Sequence, residues 1–275
     1  MTRMTNVNDA GSAVSGAGSN GERNLSNATI VARVDAGTLS TVIDALSALV
    51  TECRLEFDDD GLSVIATDPA VVASVNVDLA AGAFETYDGA NGTFGLDVER
   101  LGTIVGLADR DRPVTLAVDA GTRHLRVGIG ELRYEMGLLD PETIRSPPDP
   151  TELRFEYGGG AVLPSATVDR FVGATDLVAN HLSIALADEA LRIEADGDVD
   201  SVSLEFEATD LQAFTPGEAR SLYSLEYLRD MSRAIPGDAA VDLRIGTETP
   251  ISLGFEIADG EGSVEYVLSP RIARK

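Results

Sequence analysis

Asp58-Asp59-Asp60-Gly61 is the densest run of groups in this chain that could ligate a cation or move a proton. Clustered carboxylates can hold a hard cation. The same residues, ending in glycine between two strand-like stretches, also make an ordinary hairpin turn. Other reactive side chains are sparse. His124 and His181 are the two histidines, and each stands beside a strand-like stretch, where a structural role competes with general-base chemistry. Cys53 is the single cysteine, at the end of an apolar helical pattern, and reads as a small buried residue that can form no disulfide within the chain. Gly16-Ala17-Gly18-Ser19-Asn20-Gly21 spells G-x-G-x-x-G. A dinucleotide site would need a strand before it and a helix after it, and neither is there. G-x-S-x-G, H-E-x-x-H, the P-loop and zinc-type Cys/His spacing do not occur. With 46 acidic residues, some carboxylate pairs lie close by chance and make no site frame. The sequence therefore reads as a non-enzymatic protein with no catalytic residues, no metal ligands and no cofactor.

The charge is extreme. Against those 46 acidic residues stand 21 basic ones, for a formal net charge of -25, and Lys275 is the only lysine. The acidity is spread along the chain and not gathered in a tail. Such a chain repels itself in dilute buffer. At molar salt the Debye length shrinks to about 3 Å and the repulsion is screened. Two readings follow: a protein adapted to a saline cytoplasm, or an ordinary acidic protein with a solvated surface. Simple nucleic-acid binding through bulk charge is disfavoured, because phosphate contacts need Lys and Arg gathered on one face. No stretch approaches the ~18 apolar residues of a membrane span, and no charged-then-apolar leader opens the chain. The expected setting is cytoplasmic, with no membrane partner.

Any site must be positioned by elements, and these repeat. Leu39, Val42, Ile43, Leu46, Leu49 and Val50 follow helical spacing, with Thr38 able to cap. This helix leads into strand-like residues ending near Asp68. A similar helix over Val168–Val178 leads into strands ending near Asp196. Val98, Leu101, Ile104 and Leu107 are echoed at identical spacing by Leu225, Leu228, Met231 and Ala234. Strands are expected at Val71–Leu79, Thr93–Leu96, Val114–Val118, His124–Ile129 and Arg133–Leu139, with a short helical turn at Ala83–Tyr87. In the second unit they are expected at Ser183–Leu186, Leu191–Ala195, Val199–Phe206, Val241–Ile245, Ile251–Ile257 and Ser263–Leu268. The fold class is α+β, duplicated, with two helices and mostly antiparallel sheet per unit. Residues 1–27 are rich in Gly, Ser, Asn and Ala and read as a disordered tail. Residues 28–139 form the first domain and 152–275 the second. Between them, 140–151 carry four prolines, at 141, 147, 148 and 150, which make a stiff, extended connector.

Several segments, in this order, resemble one family: Val50-Thr51-Glu52-Cys53, Ala66-Thr67-Asp68-Pro69-Ala70, Tyr134-Glu135-Met136, Leu138-Leu139-Asp140-Pro141-Glu142, Tyr223-Ser224-Leu225-Glu226-Tyr227-Leu228 and Leu268-Ser269-Pro270-Arg271-Ile272. Together with the duplication they are similar to PCNA, the archaeal and eukaryotic DNA polymerase sliding clamp. The acidic composition suggests a haloarchaeal version. The resemblance implies a ring of three subunits with pseudo-six-fold symmetry, helices lining the pore and sheets outside. Subunits would pair through edge strands carrying Arg133, Tyr134, Met136 and Leu138 on one side and Val199, Val202 and Leu204 on the other. Duplex DNA, gripped without sequence preference, would face Arg100, Arg170, Arg229 and Arg233. DNA polymerase, clamp loader, flap nuclease and ligase would dock short peptides beneath the connector, at Thr67, Val71, Ser74, Leu139, Ile144, Pro250, Val267, Ser269 and Pro270.

The chain departs from the family in its pore. The first helix offers Ser40, Thr41, Asp44 and Ser47 at the polar positions, and Asp169, Glu226 and Asp230 dilute the arginines. A second reading therefore stays open: a diverged clamp-fold protein that binds replication proteins, or another clamp subunit, without loading on DNA. The charge yields a first prediction. The assembly should weaken as salt falls, because like-charged subunits repel once screening is lost. Light scattering across a KCl series checks this, and an assembly equally stable at low and molar salt would contradict it.

Overall fold

The computed structural model describes residues 28–147 and 155–271. The tail expected over 1–27, the G-x-G-x-x-G within it, the end of the connector and the last four residues lie outside the described residues. The first unit runs β1 (Ile30–Asp35), α1 (Ala36–Ser47), β2 (Glu52–Phe57), β3 (Gly61–Thr67), β4 (Ala73–Ala80), β5 (Thr86–Gly89), β6 (Gly92–Asp97), α2 (Val98–Val105), β7 (Pro113–Asp119), β8 (His124–Ile129) and β9 (Leu132–Gly137). The second repeats it element for element: β10 (Gly159–Pro164), α3 (Ser165–Asp176), β11 (His181–Ala187), β12 (Ala190–Asp196), β13 (Ser201–Glu207), β14 (Ala213–Thr215), β15 (Ala219–Ser224), α4 (Leu225–Ala234), β16 (Ala240–Ile245), β17 (Ile251–Ile257) and β18 (Gly262–Leu268).

The apolar periodicity fixes which helix faces are buried. Leu39, Val42, Ile43 and Leu46 of α1 are covered, as are Val98, Leu101 and Ile104 of α2. Val168, Phe171 and Val172 of α3 and Leu225, Leu228 and Met231 of α4 match them. The start of α1 corrects the expectation that Thr38 caps it. Asp35 is the cap, its Oδ1 accepting from Thr38 N at 2.7 Å and its Oδ2 from Thr38 Oγ1 at 2.7 Å. An aspartate supplies two acceptor oxygens, so it can take both donors of Thr38 and start the helix a turn earlier. Asp97 caps α2 in the same way, through Arg100 N at 2.9 Å.

Three further expectations change. Residues 83–87 are not a helical turn: a 3₁₀ turn covers Ala81–Ala83, and β5 pairs antiparallel with β1, so tertiary pairing overrides local propensity. Val71 is not in a strand, because β4 begins at Ala73. Cys53 lies on β2, not at a helix end, and is buried. Burial, and then the neighbouring Glu52 charge, push its thiol up to about 12, which leaves no thiolate nucleophile near neutrality. Asp58 closes the β2–β3 turn, its Oδ1 accepting from Asp60 N at 2.8 Å and Gly61 N at 3.0 Å. Gly61 has φ 147°, and a Cβ there would stand 2.1 Å from the Leu79 carbonyl oxygen.

Three sheets cover the helices. One has five strands in the order β5-β1-β7-β8-β9, and one has four, β13-β12-β11-β15. The third has nine, β14-β10-β16-β17-β18-β4-β3-β2-β6, and it crosses from the second unit to the first where β18 meets β4. Val75, Val77, Val264 and Tyr266 are buried along that seam. Tyr266 also reaches inward, its hydroxyl donating to the Ala45 carbonyl of α1 at 2.9 Å. Burial keeps this phenol protonated well above its ordinary range.

With one sheet and one shared core spanning both units, unfolding should be a single cooperative transition. Tyr266→Phe removes the buried hydroxyl and orphans a carbonyl, and should cost about 1–2 kcal/mol. Denaturant titration in molar KCl checks both statements; two resolved transitions would contradict the shared core.

Candidate functional site: a docked connector and two unpaired sheet edges

Asp68 organises the loop between β3 and β4. It is 3% exposed. Its Oδ1 accepts from Val72 N and Ala73 N, each at 2.7 Å, and its Oδ2 from Ala70 N at 2.9 Å. A fourth donor comes from the other unit: Tyr227 of α4 donates its hydroxyl to Asp68 Oδ2 at 2.8 Å. Burial alone would raise the Asp68 carboxyl, but the hydrogen bonds from Ala73, Tyr227, Val72 and Ala70 outweigh it and hold it below the ordinary value. Burial first, and the Asp68 carboxylate second, push the Tyr227 phenol up to about 12. Wrapped around this carboxylate, the loop holds Val71 at φ 59°, a conformation that β-branched residues rarely adopt, with its side chain 47% exposed.

The connector lies against the first unit. Leu139 N donates to the Gly95 carbonyl of β6 at 2.9 Å. A Cβ on Gly95 would stand 2.7 Å from the Leu139 carbonyl oxygen and 2.8 Å from Ile144 Cδ1, so only glycine admits the connector this closely. A 3₁₀ turn over Pro141–Thr143 follows, where an extended run was expected; Asp140 caps it and Pro141 sits in its first turn. Arg54 donates to the Ile144 carbonyl, and Arg145 to the Pro69 carbonyl at 3.2 Å.

The expected pocket residues fall into three groups. Thr67, Ser74 and Val267 form a cross-strand row over β3, β4 and β18, all half-buried. The Thr67 hydroxyl is buried without a partner. Leu139 is half-buried on the connector, while Ile144 is buried beneath it. Pro250, Ser269 and Pro270 are half-buried beyond the ends of β17 and β18, where Ser269 N donates to the Val72 carbonyl at 2.8 Å. The row thus continues past β18 into the loop that Asp68 holds. Asp68, Tyr227, Gly95 and Arg145 hold the loop and the connector in place, and reading for site residues overlooked them. Asp68-Pro69 directly after a strand was the available signal, because Asp before Pro starts turns and its side chain binds backbone N–H groups two or more residues on.

Residues expected at an interface lie on two sheet edges. β9 ends the five-stranded sheet and β13 the four-stranded one. Arg133 on β9 is exposed, Tyr134 half-buried and Met136 buried, and Leu138 follows the strand half-buried. Val202 and Leu204 on β13 are half-buried, and Val199, just before it, is 93% exposed. On the comparable strands inside the chain, Val264, Tyr266 and Leu268 of β18 and Val75, Val77 and Leu79 of β4 are buried.

The four arginines expected to face DNA each have a partner within the chain. Arg229 pairs with Asp176 at 2.8 Å, and Arg233 with Asp230 at 3.5 Å. Arg100 lies 5.7 Å from the Tyr134 ring centroid and donates to its hydroxyl at 3.0 Å. Arg170 stands 5.4 Å from the Phe206 ring centroid. Two arginines thus belong to ion pairs on the helix layer, and two sit beside edge-strand aromatics. No cluster of three or more His, Cys, Asp or Glu side chains suited to a metal occurs among the described residues. No helix among them is long and apolar enough to cross a membrane.

Comparison with known proteins bears on this geometry. The family described as "Proliferating cell nuclear antigen, N-terminal domain" matches residues 30–130. The DNA polymerase sliding clamp of Natronomonas pharaonis is 42% identical over 241 residues, which cover 87% of this chain and 97% of that one. The sliding clamp of Haloarcula marismortui is 41% identical over the same shares. A solved structure described as "C-terminal region of FEN-1 bound to A. fulgidus PCNA" superposes with a TM-score of 0.85 at 33% identity, covering 90% of this chain and 100% of that one.

The carboxylate that holds the loop generates a prediction. Asp68→Ala strands several buried N–H groups and should cost about 3 kcal/mol, while Tyr227→Phe removes one donor and should cost about 1 kcal/mol. Because the carboxyl is held below its unfolded value, its contribution is present above that value and lost as pH falls through the folded one. The difference between wild type and Asp68→Ala should therefore shrink below about pH 4. Urea unfolding in molar KCl at several pH values checks this.

Proposed function

Because the chain belongs to the DNA polymerase sliding clamp family, PCNA, we propose that three copies close head-to-tail into a ring that encircles duplex DNA and tethers replication proteins to it. The observation that carries the reading is the make-up of the nine-stranded sheet. It joins a five-stranded half from the second unit, ending in β18, to a four-stranded half from the first, ending in β4. The remaining sheets are a five-stranded one from the first unit, ending in β9, and a four-stranded one from the second, ending in β13. Since the two units repeat element for element, β9 is the counterpart of β18, and β13 of β4. The β9 and β13 edges are therefore complementary to each other but lie on opposite units, so one copy must offer β9 to the next copy's β13. A head-to-tail interface that closes gives a ring. Edge strands capped this way no longer invite uncontrolled pairing.

The work of such a ring is topological, with no chemical step. Peptides from a polymerase, flap nuclease, ligase or clamp loader dock over the Thr67–Ser74–Val267 row, between the exposed Val71 and the connector. Tethering raises the effective concentration of an enzyme at its substrate and turns brief encounters into processive action. DNA is held loosely. Arg229 and Arg233 are the pore candidates, each already sharing its charge with an aspartate, and at molar salt counterion release adds little affinity in any case.

The test is solution mass in multimolar KCl. The unsubstituted chain should have three times the single-chain mass, and Val202→Asp or Tyr134→Asp, which place a carboxylate on a closing edge, should give single chains that remain folded by circular dichroism. A single-chain mass for the unsubstituted protein at every salt concentration would instead favour the diverged protein that assembles with another clamp subunit.

A further inference from the structure

The large apolar side chains left exposed among the described residues are Val71, Leu107, Leu177 and Val199, at 47%, 71%, 84% and 93%. Val71 belongs to the peptide groove. The other three lie on the two faces that the ring reading brings together: Leu107 follows α2, Leu177 caps the end of α3, and Val199 precedes β13. Solvated leucines on an otherwise acidic surface call for a covering partner.

The helix layer inside the chain indicates that partner. α1 and α4 meet at the seam beside β4 and β18. Asp44, Ser47 and Ala48 line one side of the groove between them, and Asp230, Arg233 and Ala234 the other. Matching the units from their helix starts, Ala36 with Ser165 and Val98 with Leu225, puts Leu177 at the position of Ala48 and Leu107 at that of Ala234. The buried positions agree with this match, since Val98, Leu101, Ile104 and Val105 of α2 correspond to Leu225, Leu228, Met231 and Ser232 of α4. Where the seam within the chain sets alanine near alanine, the unpaired faces therefore carry leucine at both places. Each of these helices also leans on its own free edge: Arg100 of α2 lies over Tyr134 of β9, and Arg170 of α3 over Phe206 of β13.

We infer that Leu107 of one copy packs with Leu177 of the partner subunit, forming an apolar contact in the helix layer that closes the seam between copies, with Arg100 and Arg170 at its border and not in the pore. This rests on the ring reading and adds to it a contact that salt does not screen. A buried leucine is worth about 1.5–3 kcal/mol, so losing one side should weaken each seam by about tenfold to a hundredfold.

Two variants test it. Leu107→Glu and Leu177→Glu change exposed residues, so the fold should stand, and each should raise the concentration at which the assembly half-dissociates at molar KCl by at least about tenfold. Independently, the double variant Leu107→Cys/Leu177→Cys, treated with a short bis-maleimide, should yield covalent species of two and three chains, since Cys53 is buried. If the unsubstituted chain forms no ring, the ring reading fails and this contact with it. If the ring forms but neither glutamate variant weakens it and no linked species appears, the leucine contact alone is overturned.

Discussion

Where β18 meets β4, residues 262–268 of one unit lie antiparallel against residues 73–79 of the other, with valines and a tyrosine sealed beneath them. Most of the remaining architecture depends on this pairing. It satisfies two sheet edges at once, which would otherwise be exposed rows of unpaired backbone groups. It places α1 beside α4 and lets the Tyr266 hydroxyl reach the α1 backbone. It also brings Tyr227 within reach of Asp68, so the loop that presents Val71 is shaped by both units. And by using up one five-stranded half and one four-stranded half, it determines which edges are left over.

Charge shapes the molecule differently. At -25 the chain carries far more carboxylate than its arginines can neutralise, and many of the arginines are committed locally. Arg126 joins Asp119 and Glu135, and Arg192 joins Asp188 and Glu205. Pairs with an exposed carboxylate, such as Arg192 with Asp188 and Glu205, contribute little stability individually. Their effect is to leave few unshared cations among the described surface residues.

Much of the fold was legible because the buried helix faces follow a strict period and recur in both halves. The hairpin at Asp58–Gly61 was equally plain from its turn residues. The strands that escaped notice have weak local patterns: β10 opens on two glycines, β14 has three residues, and β5 is a strand only because β1 lies beside it. The site was harder to read. Thr38 looked like a cap because the deciding residue, Asp35, also ends a strand. Sequence spacing shows that Arg100 and Arg170 lie on helices, but not which ring lies next to each guanidinium. Asp68 went unweighed for a related reason: its partners span 159 positions of sequence and two units.

The two kinds of seam differ mechanically. In a closed ring of three chains, the seams within each chain are tied twice, by the β4–β18 ladder and by the covalent connector, whose Leu139 N bonds Gly95 of β6. The seams between chains have no tether. A force that pries the ring apart will find its hinge and its gate already assigned: a whole chain swings as one stiff arm, and the gap appears between chains. Opening such a ring then requires breaking one untethered seam, and because its two ends stay anchored through the other chains, they are held near each other and can reclose without diffusing apart.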